Sequence, residues 1–234
     1  MITVATWNVL HRVHAENWRD ADTQWPDESE RIADITARVA SRPETVIALQ
    51  EVSGDQLAAL RVALPDRAIH VLRYPRVPRL RRGNAELSDP TEHLVLVVDG
   101  LSRLLSAEPF DNDPGKGAVV VQVGELTVIA THVTGDDRRT GQFAHLTKLA
   151  STMGPVVLLG DFNVDRDTVE SALGSGFTVA QLPPDSAPTR PRTASTKSQF
   201  IDHVVVRDAT VTDAAVHPAP GLSDHNLLSA TLTF

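Results

Sequence analysis

Val156-Val157-Leu158-Leu159-Gly160-Asp161-Phe162-Asn163 is the stretch whose reading decides the fold. Four apolar residues with no polar interruption read as a short strand covered on both faces. The run ends in a carboxylate and an amide two residues apart. If extended backbone continues through them, Asp161 and Asn163 share a face and Phe162 points the other way. An acid and an amide so placed grip a water and a phosphate oxygen, the acid accepting a proton and the amide donating to developing charge. An ordinary turn explains the same residues, because Gly, Asp and Asn are turn formers. Gly160 permits either a turn or a close approach to a ligand.

Other polar groups also sit at strand tips. Asn8 follows Thr6-Trp7 and either orients Asp161 or caps a turn. Glu51 follows Val46-Ile47-Ala48-Leu49-Gln50, where a carboxylate is an oxygen ligand for Mg²⁺ or simply a solvated strand end. His132 follows Val128-Ile129-Ala130-Thr131, as a donor to a phosphate oxygen or as a structural histidine. Asp224 and His225 diverge on extended backbone, one toward a metal and the other toward a phosphate or the attacking water. Asp202, after Phe200-Ile201, accepts from one nitrogen of His225 and sets its tautomer. His203 then faces away and packs. His11 and His14 are expected at the surface rather than at a pocket rim.

Around these tips the periodicity predicts a strand from Ile2 and a helix opened by Pro26-Asp27 with Ile32, Ile35 and Val39 on one face. Pro43 stops that helix. A second helix spans 55–64, followed by a strand over 68–72. Residues 73–92 read as a loop bordering a site, with Arg73, Arg76, Arg79, Arg81 and Arg82 threaded through prolines. Further runs cover 94–98 and 101–107, and Gly124-Glu125 joins the strands 118–123 and 126–131 as a hairpin. Asp136 or Asp137 caps a helix running to about Met153, with Phe143, Leu146 and Met153 in its apolar stripe. A short helix at 167–173, a strand near Phe177 and strands at 200–206, 209–216 and 226–233 complete the chain. Strands alternate with helices but include hairpins, which predicts an α/β sandwich of two mixed sheets with outer helices, in one domain over 1–234.

Composition narrows the functions. Of 234 residues, 41% are apolar, enough for one large core. The net charge of -8, from 22 basic and 30 acidic residues, argues against binding nucleic acid by a general field. Zero cysteines exclude disulfides, thiolate zinc sites and cysteine nucleophiles. Residues 1–7 lack a signal-peptide pattern and no run reaches 18 apolar residues, so the expectation is a cytoplasmic protein off the membrane, a monomer by default. Phosphate-binding glycine loops and G-x-S-x-G are absent.

Taken in order, Thr6-Trp7-Asn8-Val9, Gln50-Glu51, Thr131-His132, Gly160-Asp161-Phe162-Asn163-Val164, Ile201-Asp202-His203 and Ser223-Asp224-His225 resemble the endonuclease/exonuclease/phosphatase family of the DNase I-like superfamily, along essentially the whole chain. The resemblance implies a four-layered α/β sandwich, two packed mixed β-sheets flanked by helices. It implies Mg²⁺, or Mn²⁺, at Glu51 and Asp224 with Asp161 nearby. It also implies that Asp161 positions or deprotonates the attacking water, with Asn8 orienting it. Asn163 and His132 then contact phosphate, and His225 pairs with Asp202. Asp161 and His225 both stay open as the formal base. The implied activity is metal-dependent hydrolysis of a phosphodiester, a nuclease among the options. A phosphomonoesterase for a nucleotide or other small phosphorylated metabolite, or a non-catalytic nucleic-acid- or protein-binding relative, are the alternatives.

The chain departs from the family in two places. Leu10 stands where some base-excision nucleases carry an aspartate, which removes one metal ligand. The stretch 73–99 matches the usual Gly-rich, serine–arginine region poorly.

Overall fold

The computed structural model describes residues 1–17, 25–81, 86–151, 154–193 and 197–234. Among them, twelve strands form two six-stranded mixed sheets. The first contains β1 (Ile2–Asn8), β2 (Val46–Ser53), β3 (Arg67–Arg73), β4 (Glu92–Asp99), β11 (Thr210–His217) and β12 (Leu227–Thr233), in the order β11-β12-β1-β2-β4-β3. The second contains β5 (Arg103–Phe110), β6 (Asp113–Val123), β7 (Leu126–His132), β8 (Val156–Asp161), β9 (Thr178–Val179) and β10 (Asp202–Arg207), in the order β5-β6-β7-β8-β10-β9. Only β1 with β2 and β7 with β8 run parallel; the remaining pairs are antiparallel.

The uninterrupted apolar runs follow from burial on both faces. In β2, Val46 and Ala48 face the core between the sheets, whereas Ile47 and Leu49 pack outward with Ile35, Val39, Leu57 and Leu60. Those partners belong to α2 (Glu28–Ala40) and α3 (Gly54–Ala63). In β8, Val157 and Leu159 face the shared core, while Val156 and Leu158 join Phe143, Leu146 and Val169. These lie on α4 (Arg139–Ser151) and α5 (Arg166–Leu173), giving the expected four layers. No described helix is long and apolar enough to cross a membrane.

Several local expectations change. The helix over 55–64 starts at Gly54, capped by the Ser53 hydroxyl, which accepts from the Gln56 N–H at 3.1 Å. Asp136 holds the turn before α4, which begins only at Arg139: its Oδ1 accepts from the Arg138 N–H at 3.0 Å and its carboxylate also binds the Arg138 guanidinium. The far end of that helix, at Thr152 and Met153, lies outside the described residues, as does Arg82. Leu101 is 96% exposed, and its run becomes the shifted strand β5. A one-and-a-half-turn helix, α1 (Arg12–Asn17), is unforeseen because six residues carry too little periodicity. Gly160 makes no turn and lies within β8. A Cβ there would lie 2.0 Å from the Thr131 carbonyl oxygen, so the glycine lets β8 close on β7.

Candidate active site

The two parallel pairs bring strand ends to one rim. Asn8 registers with Gln50, His132 with Asp161, and Asp161 with Asp202 across the antiparallel β10. At this rim β2 breaks register between Leu49 and Val52, and Glu51 sits at φ +60°. That left-handed backbone costs roughly 1–2 kcal/mol for a residue with a Cβ. It is held by two bonds to the carboxylate: the Asn8 amide donates to Oε1 at 3.1 Å and the His11 N–H to Oε2 at 3.1 Å. The same Asn8 Nδ2 donates to Asp161 Oδ2 at 3.1 Å, so one amide ties a carboxylate from each sheet.

On the second sheet, His132 Nε2 lies 3.4 Å from Asp161 Oδ2 and contacts Lys116 Nζ, while its Nδ1 is buried without a partner. Asp202 is buried behind His225 and lies 2.9 Å from its Nδ1. A carboxylate at that distance accepts from Nδ1–H, which leaves Nε2 facing Asp161 and Asp224 at 3.9 Å each. Burial alone would lower the His225 pKa, but Asp202, Asp224 and Asp161 push it up to about 10. Burial raises the Asp202 carboxyl, opposed by the imidazole it faces. Asp161 and Glu51 move the other way: burial is outweighed by His132, His225 and Lys116 at Asp161, and by His14, His132 and Lys116 at Glu51, so both stay ionised well below the usual carboxylate range.

Asp224 is engaged differently from the expectation. Arg190 donates to its Oδ2 through Nη2 at 2.8 Å and Nε at 3.1 Å, and its Oδ1 is buried without a partner. Arg190 is placed by Thr189, whose hydroxyl accepts from the N–H groups of Ile201 and Asp202.

Asn163 also departs from expectation. β8 ends at Asp161, and Asn163 adopts φ +54° with its N–H donating to Asp161 Oδ1 at 2.9 Å. Its Nδ2 donates to the Val133 carbonyl at 2.9 Å. The turn brings the pair together where continued strand would have aligned them. Phe162 is fully buried, with His203 tilted against it, and His203 Nε2 lies 2.8 Å from the Val164 carbonyl, as a packing residue should.

Seven of the eight expected residues (Asn8, Glu51, His132, Asp161, Asn163, Asp224 and His225) line one cleft of about 970 Å³, and Asp202 stands behind it. Sequence reasoning missed Lys116, Glu92 and the placement of two histidines. His11 is 1% exposed, and His14 lines the cleft with its Nε2 3.3 Å from Glu92. The signal for Lys116 was available: Gly117 registers with His132, so the preceding residue had to lie beside that strand end. Of the arginines of 73–82, Arg76 lines the cleft, as do Arg190 and Arg192. Among the described residues, two groups of donor atoms lie within 4.8 Å of one another, His14–Glu51–Glu92 and Asp161–Asp202–His225.

The chain thus presents a two-sheet α/β sandwich whose rim gathers imidazoles and carboxylates of the kind that can hold a divalent metal. Residues 5–225 match the family model described as Endonuclease/Exonuclease/phosphatase family, and the chain belongs to that family. Among solved structures it is similar to an endonuclease/exonuclease/phosphatase from Bacteroides vulgatus (17% identity, TM-score 0.72, covering 100% of this chain and 98% of that one). It is also similar to D. rerio TDP2 complexed with single strand DNA product (14%, TM-score 0.69, 100% and 99%). The human Nocturnin catalytic domain with bound sulfate anion is a third (15%, TM-score 0.70, 100% and 94%). At these identities the likeness is one of fold. No curated protein matches the chain.

Proposed function

We propose that the protein is a divalent-metal-dependent phosphoesterase that hydrolyses a phosphodiester by in-line attack of water. One observation carries the reading: Asn8 holds Glu51 and Asp161 from opposite sheets within hydrogen-bond reach of a single amide, on the floor of the cleft. The donors there suit a hard cation, since Glu51 and Asp161 are buried and ionised and Asp224 Oδ1 is buried without a partner. Glu51, Asp161 and Asp224 would hold Mg²⁺ or Mn²⁺. Such a cation, when bound, neutralises phosphate oxygens and eases departure of the leaving group.

The remaining work falls to the chain's own groups. Asp161, fixed by Asn8 and by the Asn163 N–H, accepts a hydrogen bond from the attacking water and is placed to take its proton. His225, oriented through Nδ1 by Asp202 and favoured in its protonated form by the surrounding carboxylates, is the other group placed to move a proton, as the donor from Nε2 to the leaving oxygen. His132, Lys116 and Asn163 face the same space and stabilise charge on the phosphorus oxygens. A nucleic-acid substrate draws support from the similarly folded TDP2 complexed with single strand DNA product, and a site for a tetrahedral anion from the Nocturnin domain with bound sulfate.

A second reading is favoured by a specific observation. Lys116, Arg76, Arg190 and Arg192 all line this one cleft in a chain of net charge -8, which suits a small, highly charged phosphorylated molecule, including a phosphomonoester. A non-catalytic relative would have lost a site residue, and all eight are in place. The test is a panel of plasmid, oligonucleotides, nucleotides and small phosphoesters with Mg²⁺, Mn²⁺ or EDTA. Cation-dependent hydrolysis that Asp161→Asn abolishes supports the reading. No turnover of any phosphoester with either cation overturns it.

A further inference from the structure

Three features around Glu51 bear on which atoms would surround a cation there. Leu10, with no donor in its side chain, follows two residues after Asn8. Asp224 gives its Oδ2 to Arg190. Glu92, meanwhile, buries its carboxylate beside Glu51 at the start of β4, with His14 against it. One ligand atom each from His14, Glu51 and Glu92 lies within 4.8 Å of the others. Ligands about 2.0–2.3 Å from a shared ion are separated by up to about 4–4.6 Å, so the group stands close to the spacing that one ion requires.

Two buried side-chain polar atoms have no hydrogen-bond partner. The Tyr74 hydroxyl is fully buried without a partner, and the charges acting on it are those of Glu92, Glu51, Asp113 and Arg76. His11 Nε2 is likewise buried and unpartnered, with Glu92, His14 and Glu51 among the charges around it. Asn8 and the His11 N–H donate to Glu51 and His14 stands against Glu92, and a cation would further offset the cost of burying the two carboxylates together. Lys116 is the nearby basic side chain, and its close contact is with His132.

We infer that His14 and Glu92, together with Glu51, form a mixed imidazole–carboxylate site that takes Mn²⁺ in preference to Mg²⁺. This rests on the proposed metal dependence and puts His14 and Glu92, in place of Asp161 and Asp224, beside Glu51 around the ion. Mg²⁺ is served by oxygen donors and retained waters, whereas an imidazole in the set shifts preference along the first-row series toward Mn²⁺ and beyond. His14 arrives on α1, and Glu92 is aligned by its backbone carbonyl, which accepts from the Tyr74 N–H at 2.9 Å.

The test uses metal-stripped full-length protein. Mn²⁺ binding is followed by electron paramagnetic resonance, with competition by Mg²⁺ and a pulsed measurement of nitrogen directly bound to Mn²⁺. Wild type should bind Mn²⁺ at least tenfold tighter than Mg²⁺ and show one nitrogen coupling. His14→Gln should lose that coupling and narrow the Mn²⁺ preference, and Glu92→Gln should weaken Mn²⁺ binding tenfold or more. Circular dichroism in EDTA confirms that each variant is folded; a variant that is not is replaced by His14→Asn or Glu92→Asp. An unchanged nitrogen coupling in the His14 variant, or equal affinity for the two ions, overturns the inference. Should Glu51→Gln alone abolish both metal binding and hydrolysis while the His14 and Glu92 variants bind as wild type, the proposed function stands and this ligand set falls.

Discussion

Asn8 Nδ2 donates to Asp161 Oδ2 at 3.1 Å although the two residues are 153 positions apart and belong to different sheets. The bond joins the halves of the sandwich at the point where the proposed mechanism activates water. Replacing Asn8 by Ala removes a donor from Asp161 and from Glu51 at once. The expected result is a loss of about 10²-fold in kcat with little change in KM, as for loss of one preorganised donor. Steady-state kinetics at saturating divalent cation decide it, and an unchanged kcat would remove Asn8 from the mechanism.

Asp161→Asn and His225→Gln separate the two candidates for proton transfer. Whichever performs general acid–base work should cost about 10²–10⁴ in rate when replaced. Asp202→Asn should cost less than His225→Gln, because it acts by orienting the imidazole. Equal rates for wild type and the His225 variant would leave the transfer to Asp161.

Metal removal tests the cofactor independently of the substrate. EDTA should abolish hydrolysis and lower the unfolding temperature, and added Mn²⁺ or Mg²⁺ should restore both. At a hundredfold excess over its Kd, a bound ion adds about 2.7 kcal/mol of stability. A thermal melt that does not respond to either ion contradicts a native metal site.

Gly160→Ala would place a methyl group 2.0 Å from the Thr131 carbonyl oxygen. Backbone on the other side cannot swing away as a flexible side chain would, so β7 and β8 must separate where His132 and Asp161 are positioned. A destabilisation of about 1–3 kcal/mol is expected, with lost activity. Urea unfolding measures the first and the standard assay the second.

His203 provides the pH dependence that is cleanest to read, away from the cation. Its burial, only partly offset by the Val164 carbonyl, lowers its pKa below the ordinary 6.5. The unfolded chain therefore binds a proton that the native protein resists, and stability falls as pH drops below 6.5 toward the lowered native value. The slope for one such proton is at most about 1.4 kcal/mol per pH unit. Denaturant titrations in EDTA between pH 7 and 5 should show a steeper decline for wild type than for His203→Gln. Parallel curves would mean that the histidine charges freely.

The strands were legible because β2 and β8 are buried on both faces, so residues such as Val46 to Leu49 and Val156 to Leu159 leave no polar position to confuse the period. The polar tips were legible because Asn8, His132 and Asp161 each stand where such a run stops. What escaped were non-periodic features. Glu51 depends on a bulge, Asn163 on a turn at positive φ, and α4 starts three residues after Asp136 because Arg138 takes that carboxylate. His14 and Glu92, 78 residues apart, carry no local mark of their proximity.

The amino-acid sequence by itself determined the layered fold and the order of its polar tips, since side-chain period and turn residues are local properties of the chain. The grouping of Glu51 with His14 and Glu92, and of Asp224 with Arg190, was decided only by the tertiary structure. Those meetings depend on strand order, register and loop closure, and these are fixed by packing between segments distant along the chain.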